Sequence, residues 1–171
     1  MSIYIVFLRG INVGGSTMIS MKKLAGIFSD FGFENPHTYL NSGNIILKSS
    51  FSEDELTEKI KTGLSENLGT DINILIRNSI DLEQIANENP FPDAPGSKVG
   101  VYLVKEPIDE RILSEFITSG REKIVLGRRE VYIYYPDGIG RSRLKFPGIL
   151  KDGTMRNINT ITKLVKIINQ G

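Results

Sequence analysis

The chain has 171 residues, 40% hydrophobic and 24% charged, with a net charge of +1 at neutral pH. Those values fit a folded protein long enough to bury a core in one domain or two small ones, and they exclude disordered and fibrous classes. With no cysteine and one histidine, His37, the chain excludes disulfides, thiolate nucleophiles, iron–sulfur clusters and histidine- or thiolate-based metal sites, and no cofactor is expected.

Residues 3–8, Ile-Tyr-Ile-Val-Phe-Leu, read as a strand. The run is too short to span a bilayer, Arg9 stops it, and it lacks the basic leader of a signal peptide, so the cytoplasm is the expected location and no membrane partner is expected. It is apolar on both alternating faces, whereas an antiparallel sheet with one open face alternates apolar with polar. A second cover is therefore expected, either a second subdomain or a partner copy in a homo-oligomer.

Ser20 caps a helix carrying Met21, Leu24, Ala25, Phe28 and Phe31 at helical spacing, and Gly32 ends it. Residues 38–40 and 45–47 are short strands around the turn Asn41-Ser42-Gly43-Asn44. Ser52-Glu53-Asp54-Glu55 is a capping box for a second helix with Leu56, Ile60, Leu64 and Leu68 on one face, closed by Gly69. Ile72, Ile74 and Ile76 alternate as a fourth strand. The order βαββαβ over residues 1–77 is the ferredoxin-like arrangement, an antiparallel sheet with both helices on one face.

Residues 78–97 read as a connector, with a short helix at 81–87 and a loop stiffened by Pro90, Pro92 and Pro95. Residues 98–171 then echo the first pattern. A strand at 99–104 precedes a helix at 109–117. A hairpin of 124–126 and 131–135 turns at Gly127-Arg128-Arg129. A short helix at 144–150 leads towards a terminal helix with Ile161, Leu164, Val165 and Ile168 aligned. This half begins βαββα and ends in helices, the last standing where a fourth strand would be. The expected fold class is α+β: two ferredoxin-like α/β subdomains with largely antiparallel sheets.

Charge is uneven along the chain. Residues 53–93 hold ten acids against Lys59, Lys61 and Arg77, while residues 121–156 hold nine bases against four acids. The basic stretch either attracts an anion or forms a solvated face complementing the acidic one. Nucleic acid is a disfavoured partner, since net charge is near zero and the strand Asn44-Ile45-Ile46-Leu47-Lys48 has no stacking aromatics.

Three polar segments interrupt the apolar pattern. Leu8-Arg9-Gly10-Ile11-Asn12-Val13-Gly14-Gly15 lies between the first strand and helix. Its glycines either expose N–H groups to a ligand or serve only loop geometry. It is not a phosphate loop: Gly10 and Gly15 have that spacing, but Ser16 stands where lysine is required. It is not a dinucleotide fingerprint either, because Asn12 replaces the second glycine. Asn41-Ser42-Gly43-Asn44 is a hairpin turn whose asparagines reach the first loop if both strands end on one rim. The third segment holds Arg141 and Arg143, followed by Thr154, Arg156 and Asn157 before the last helix. Either the arginines and a helix N-terminus grip an anion, or Asn157 or Asn159 simply caps the helix. A Ser/His/Asp triad would need His37, beside Pro36 at a strand start, and no carboxylate pair sits in an apolar setting.

Leu8-Arg9-Gly10-Ile11-Asn12-Val13-Gly14-Gly15, Thr38-Tyr39-Leu40-Asn41-Ser42-Gly43-Asn44 and Thr154-Met155-Arg156-Asn157 together resemble the bacterial domain-of-unknown-function 1697 family, over nearly the whole chain. The last motif departs at Ile158, where the family pattern has tryptophan. The resemblance implies a bacterial cytoplasmic protein with paired ferredoxin-like subdomains and supplies no activity.

The leading functional expectation is a small anion or phosphoryl ligand held between the two subdomains. Arg9, Asn12, Gly14, Gly15, Asn41, Ser42 and Asn44 would form one wall, and Arg141, Arg143, Thr154, Arg156 and Asn157 the other. The rival expectations are a non-catalytic homo-oligomeric binding module and a nucleic-acid binder using the basic half.

Overall fold

A computed structural model describes residues 1–12, 18–40, 42–118 and 120–171. It divides into two compact units, Met1–Asp81 and Leu82–Gln170. The first contains β1 (Ser2–Arg9), α1 (Met21–Asp30), β2 (His37–Tyr39), β3 (Asn44–Ser49), α2 (Glu53–Leu68) and β4 (Asn73–Asn78). α3 (Ser79–Asn87) follows β4 directly. The second unit contains β5 (Val99–Leu103), β6 (Lys123–Leu126), β7 (Glu130–Tyr134), β8 (Thr154–Asn157) and α4 (Ile158–Gln170).

Local chemistry sets the helix boundaries of the first unit. Ser20 Oγ accepts from the Lys23 amide at 3.1 Å and starts α1. The Ser52–Glu55 capping box starts α2, with Glu53, Asp54 and Glu55 facing the positive end of the helix dipole. Gly69, at φ 69°, closes α2 in the left-handed conformation that glycine adopts without penalty. The strands order β2-β3-β1-β4, every pair antiparallel, which is the ferredoxin-like order. Tyr4, Val6 and Leu8 on one face of β1 pack with Leu24 and Phe28 of α1 and with Leu56, Ile60 and Leu64 of α2. Each such fully buried side chain contributes about 1.5–3 kcal/mol.

The alternate face of β1 carries Ile5 and Phe7, and both are fully buried. The apolar reading of both faces was therefore correct.

The second unit repeats the strand order as β6-β7-β5-β8, again antiparallel throughout. Its helices depart from the expected pattern. Residues 109–117 were expected to be a helix, but only Glu110–Glu115 coils, as 3₁₀ turns. Ile117 exchanges backbone hydrogen bonds with Lys145 at 3.0 and 2.9 Å, and Phe116 stacks edge-on against Phe146 at 5.3 Å. Tertiary pairing thus overrides a helical sequence. Residues 144–150 do not form the expected helix either. Pro147 interrupts them and leaves a single 3₁₀ turn, Gly148–Leu150. Thr154–Asn157, read as a loop entering a helix, is instead the fourth strand, paired to β5. The unit still ends in a helix, after that strand rather than in its place. Its core joins Tyr102, Val131, Ile133 and Tyr135 on one sheet face to Ile112, Phe116 and Leu150.

Among the described residues, no helix is long and apolar enough to cross a membrane.

Candidate functional site

The first two polar motifs meet on one rim of the first unit. β1 and β3 run antiparallel, with Phe7 opposite Asn44, so the exit of β1 and the entry of β3 lie side by side. The Leu8 amide donates to the Gly43 carbonyl at 2.8 Å. A β-carbon at Gly43 would stand 2.7 Å from Ile11 Cδ1 and 2.9 Å from Leu8 Cβ, so only glycine fits, at φ 88°. The turn is seated on the start of the glycine-rich segment.

Asn12 uses its side-chain amide on the backbone of the same loop. Its Nδ2 donates to the Ile19 carbonyl at 2.8 Å and its Oδ1 accepts from the Ile19 amide at 2.7 Å. The side chain imitates a paired strand residue and ties the loop shut just before α1 begins. Asn44 is wholly buried, and its Nδ2 donates to the Tyr39 carbonyl at 2.7 Å and to Ser42 Oγ at 3.2 Å. Gly14, Gly15 and Asn41 lie outside the described residues.

Arg9 closes β1 and is exposed, opposite Asn73 of β4. α1 begins beyond the same loop with Lys22 and Lys23 and no acid in its first turn, so its positive dipole end is not neutralised locally. Two residues with side chains take left-handed backbone here, Asn12 at φ 55° and Leu40 at φ 64°. Asparagine tolerates that region; leucine does so at a cost of about 1–2 kcal/mol. Leu40 is also 48% exposed, so burial does not offset the cost.

The second group of expected residues does not form one surface. Arg141 and Arg143 are exposed, in a segment whose Ile139 and Leu144 pack on the core face of the second sheet. Arg156 stands opposite Val101, on the other face of that sheet. Asn157 is committed to capping, since its Oδ1 accepts from the Thr160 amide at 2.9 Å and from Thr160 Oγ1 at 3.2 Å. Thr154 is only 1% exposed, and its Oγ1 has no hydrogen-bond partner.

Sequence reasoning missed a repeated device. Arg77 (1% exposed) and Arg156 (9%) occupy equivalent positions, opposite Ile5 in β1 and Val101 in β5. Each Nη1 donates to the carbonyl of the preceding residue, Ile76 at 3.1 Å and Met155 at 2.9 Å. Each arginine precedes an asparagine that caps the next helix, Asn78 on the Asp81 amide at 2.8 Å and Asn157 on that of Thr160. Burial lowers the Arg156 pKa to about 10. The recurring Arg-Asn before a helix start was the signal in the sequence.

Among the described residues, no group of three or more His, Asp or Glu could hold a metal ion.

Comparison with known proteins agrees with this architecture. A search of curated proteins finds no match. Among solved structures, the conserved bacterial protein SP0830 from Streptococcus pneumoniae superposes with a TM-score of 0.77 at 20% identity, covering 96% of this chain and 97% of that one. At that identity the likeness establishes the fold alone. The model of a protein family of unknown function, DUF1697, matches residues 1–132, and the chain therefore belongs to the DUF1697 family.

Proposed function

We propose that the protein binds a small phosphate- or carboxylate-type anion at the rim of its first unit, with Arg9 supplying the principal charge. The observation that carries this reading is an exposed leucine, Leu40, held in a left-handed conformation beside Gly43, on the rim where Arg9 leaves the sheet. Backbone held this way is common where a turn serves to place groups for a ligand. Arg9, Lys22, Lys23 and an α1 N-terminus without acids make that end electropositive. Asn12 and Asn44 act as braces that fix the two loops, and Ser42 Oγ supplies a hydrogen bond.

Inorganic phosphate, added up to tens of millimolar, is expected to raise the melting temperature. Arg9→Ala abolishes the rise and Arg141→Ala preserves it. No rise with phosphate, sulfate or a nucleotide panel, or an equal loss in both variants, overturns the proposal.

A further inference from the structure

The register of the first sheet brings Tyr39 to the Arg9 rim. Tyr39 stands opposite Asn44 and Asn44 opposite Phe7, so the three share one face of the sheet. Arg9 lies two residues beyond Phe7 on the same strand and shares that face. Across two strands and along two residues, the α-carbons of Tyr39 and Arg9 are about 12 Å apart. That span suits a ligand with a phosphate at one end and a flat group at the other.

The Tyr39 backbone is fixed before any ligand arrives. The buried Asn44 amide donates to its carbonyl at 2.7 Å, and the next residue is the left-handed Leu40. Its side chain is less committed than those of the other tyrosines. The Tyr4, Tyr102 and Tyr132 hydroxyls donate to the carbonyls of Phe51, Leu150 and Ile85. The Tyr134 ring packs on Phe91 at 5.8 Å, and Tyr135 is buried in the second core. Tyr39 is only half-buried and, among the described residues, its ring has no aromatic neighbour and its hydroxyl no hydrogen-bond partner.

The second unit shows that the frame does not itself require an aromatic there. Lys105 stands in the place of Arg9, each lying four residues beyond the strand residue that faces the buried arginine. Glu130, opposite Leu103, takes the place of Asn44. Gly127 takes that of Tyr39, and its amide donates to the Glu130 carbonyl at 2.7 Å. The half-exposed tyrosine therefore belongs to the first rim and not to the architecture.

We infer that the ligand of the Arg9 rim is a nucleoside monophosphate, its phosphate on Arg9 and its base stacked on Tyr39. The inference rests on the anion reading and adds the body that carries the phosphate. Every base has a π-face that an aromatic side chain can stack on, and one such contact tightens binding about tenfold.

The test titrates inorganic phosphate, ribose phosphate and adenosine monophosphate into the full chain and follows the backbone amide and tyrosine ring resonances. The nucleotide is expected to bind about tenfold tighter than ribose phosphate and to move the Tyr39 ring resonances upfield, which ribose phosphate does not do. Tyr39→Leu should bring the nucleotide down to the affinity of ribose phosphate and leave inorganic phosphate unchanged, while Tyr39→Phe should keep the preference. Equal affinities for nucleotide and ribose phosphate in the wild type, or a preference unchanged in Tyr39→Leu, overturn the inference and leave the anion reading standing. If Tyr39→Leu does not fold, the ring resonances of the wild type decide, and no upfield shift overturns the inference. Saturable binding of none of the three overturns the anion reading and this inference with it.

Discussion

The two units share a frame and differ at the rim. In both, a four-stranded antiparallel sheet places its last strand beside its first, buries an arginine on that last strand, and caps the next helix with the asparagine that follows. What lies beyond the first strand is different. The first unit follows Arg9 with glycines, a loop tied by Asn12, and a helix that starts with two lysines and no acid. The second follows Lys105 with Glu106, Pro107 and Asp109, and with 3₁₀ turns that start on Glu110. One frame thus presents an electropositive, glycine-rich rim in one copy and a proline-bearing turn of mixed charge in the other. A sheet held by its own core and caps leaves its connections free to diverge in chemistry.

The shared frame can be broken most severely at the arginines. Arg77→Ala is expected to cost about 3 kcal/mol, by leaving a cavity and removing the hydrogen bond to the Ile76 carbonyl, and Arg156→Ala somewhat less because Arg156 is less buried. Urea unfolding of both variants measures this. Losses below about 0.5 kcal/mol in either would show that the two positions are not equivalent supports.

Next in size is the turn that distinguishes the first rim. Gly43→Ala places a methyl group against Leu8 and Ile11 at a left-handed φ, for an expected loss of about 2 kcal/mol. Thermal melting checks it, and an unchanged Tm would contradict the seating described above.

The second unit carries its own alkaline weakness. Burial raises the pKa values of Tyr132 and Tyr135 well above the ordinary phenol value of 10, with Glu130 and Glu122 adding to the shift. Above pH 10 the unfolded chain releases these protons and the folded chain retains them, so stability is full below pH 10 and falls as pH rises. The slope is about 1.4 kcal/mol per pH unit for each tyrosine. Tyr135→Phe should flatten the fall between pH 10 and 11.5 in chemical denaturation.

The smallest expected effect is a gain. Thr154→Val replaces a buried, unpartnered hydroxyl with a methyl group of the same shape and should stabilise the protein by about 1 kcal/mol. A destabilised variant would indicate a partner for that hydroxyl.

Much of the first unit was legible because its signals are local. Ser20, the Ser52–Glu55 box and Gly69 act on backbone groups within a few residues, and the apolar spacings match their elements. The second unit was read less well because its segments answer to distant partners. Residues 109–117 have a helix-like pattern, yet Ile117 is drawn into pairing with Lys145, 28 positions away. Thr154–Asn157 is too short and polar to announce a strand, and it becomes one because β5 needs a neighbour on that edge. At the site, the glycine-rich turn was found from its residue types. The role of Asn12 as a brace was not legible, because an asparagine in a loop looks the same whether its amide faces a ligand or a peptide seven residues on. Arg77 was hidden in a strand whose isoleucines alone were read.

The divergence of the two rims is tested most directly by titrating inorganic phosphate into the wild type, Arg9→Ala and Lys105→Ala, with backbone amide NMR as the readout. The expected result is saturable shifts in residues 8–12 and 42–44 of the wild type, retained in Lys105→Ala and lost in Arg9→Ala. Saturable shifts around residues 104–109, or their persistence in Arg9→Ala, would contradict it.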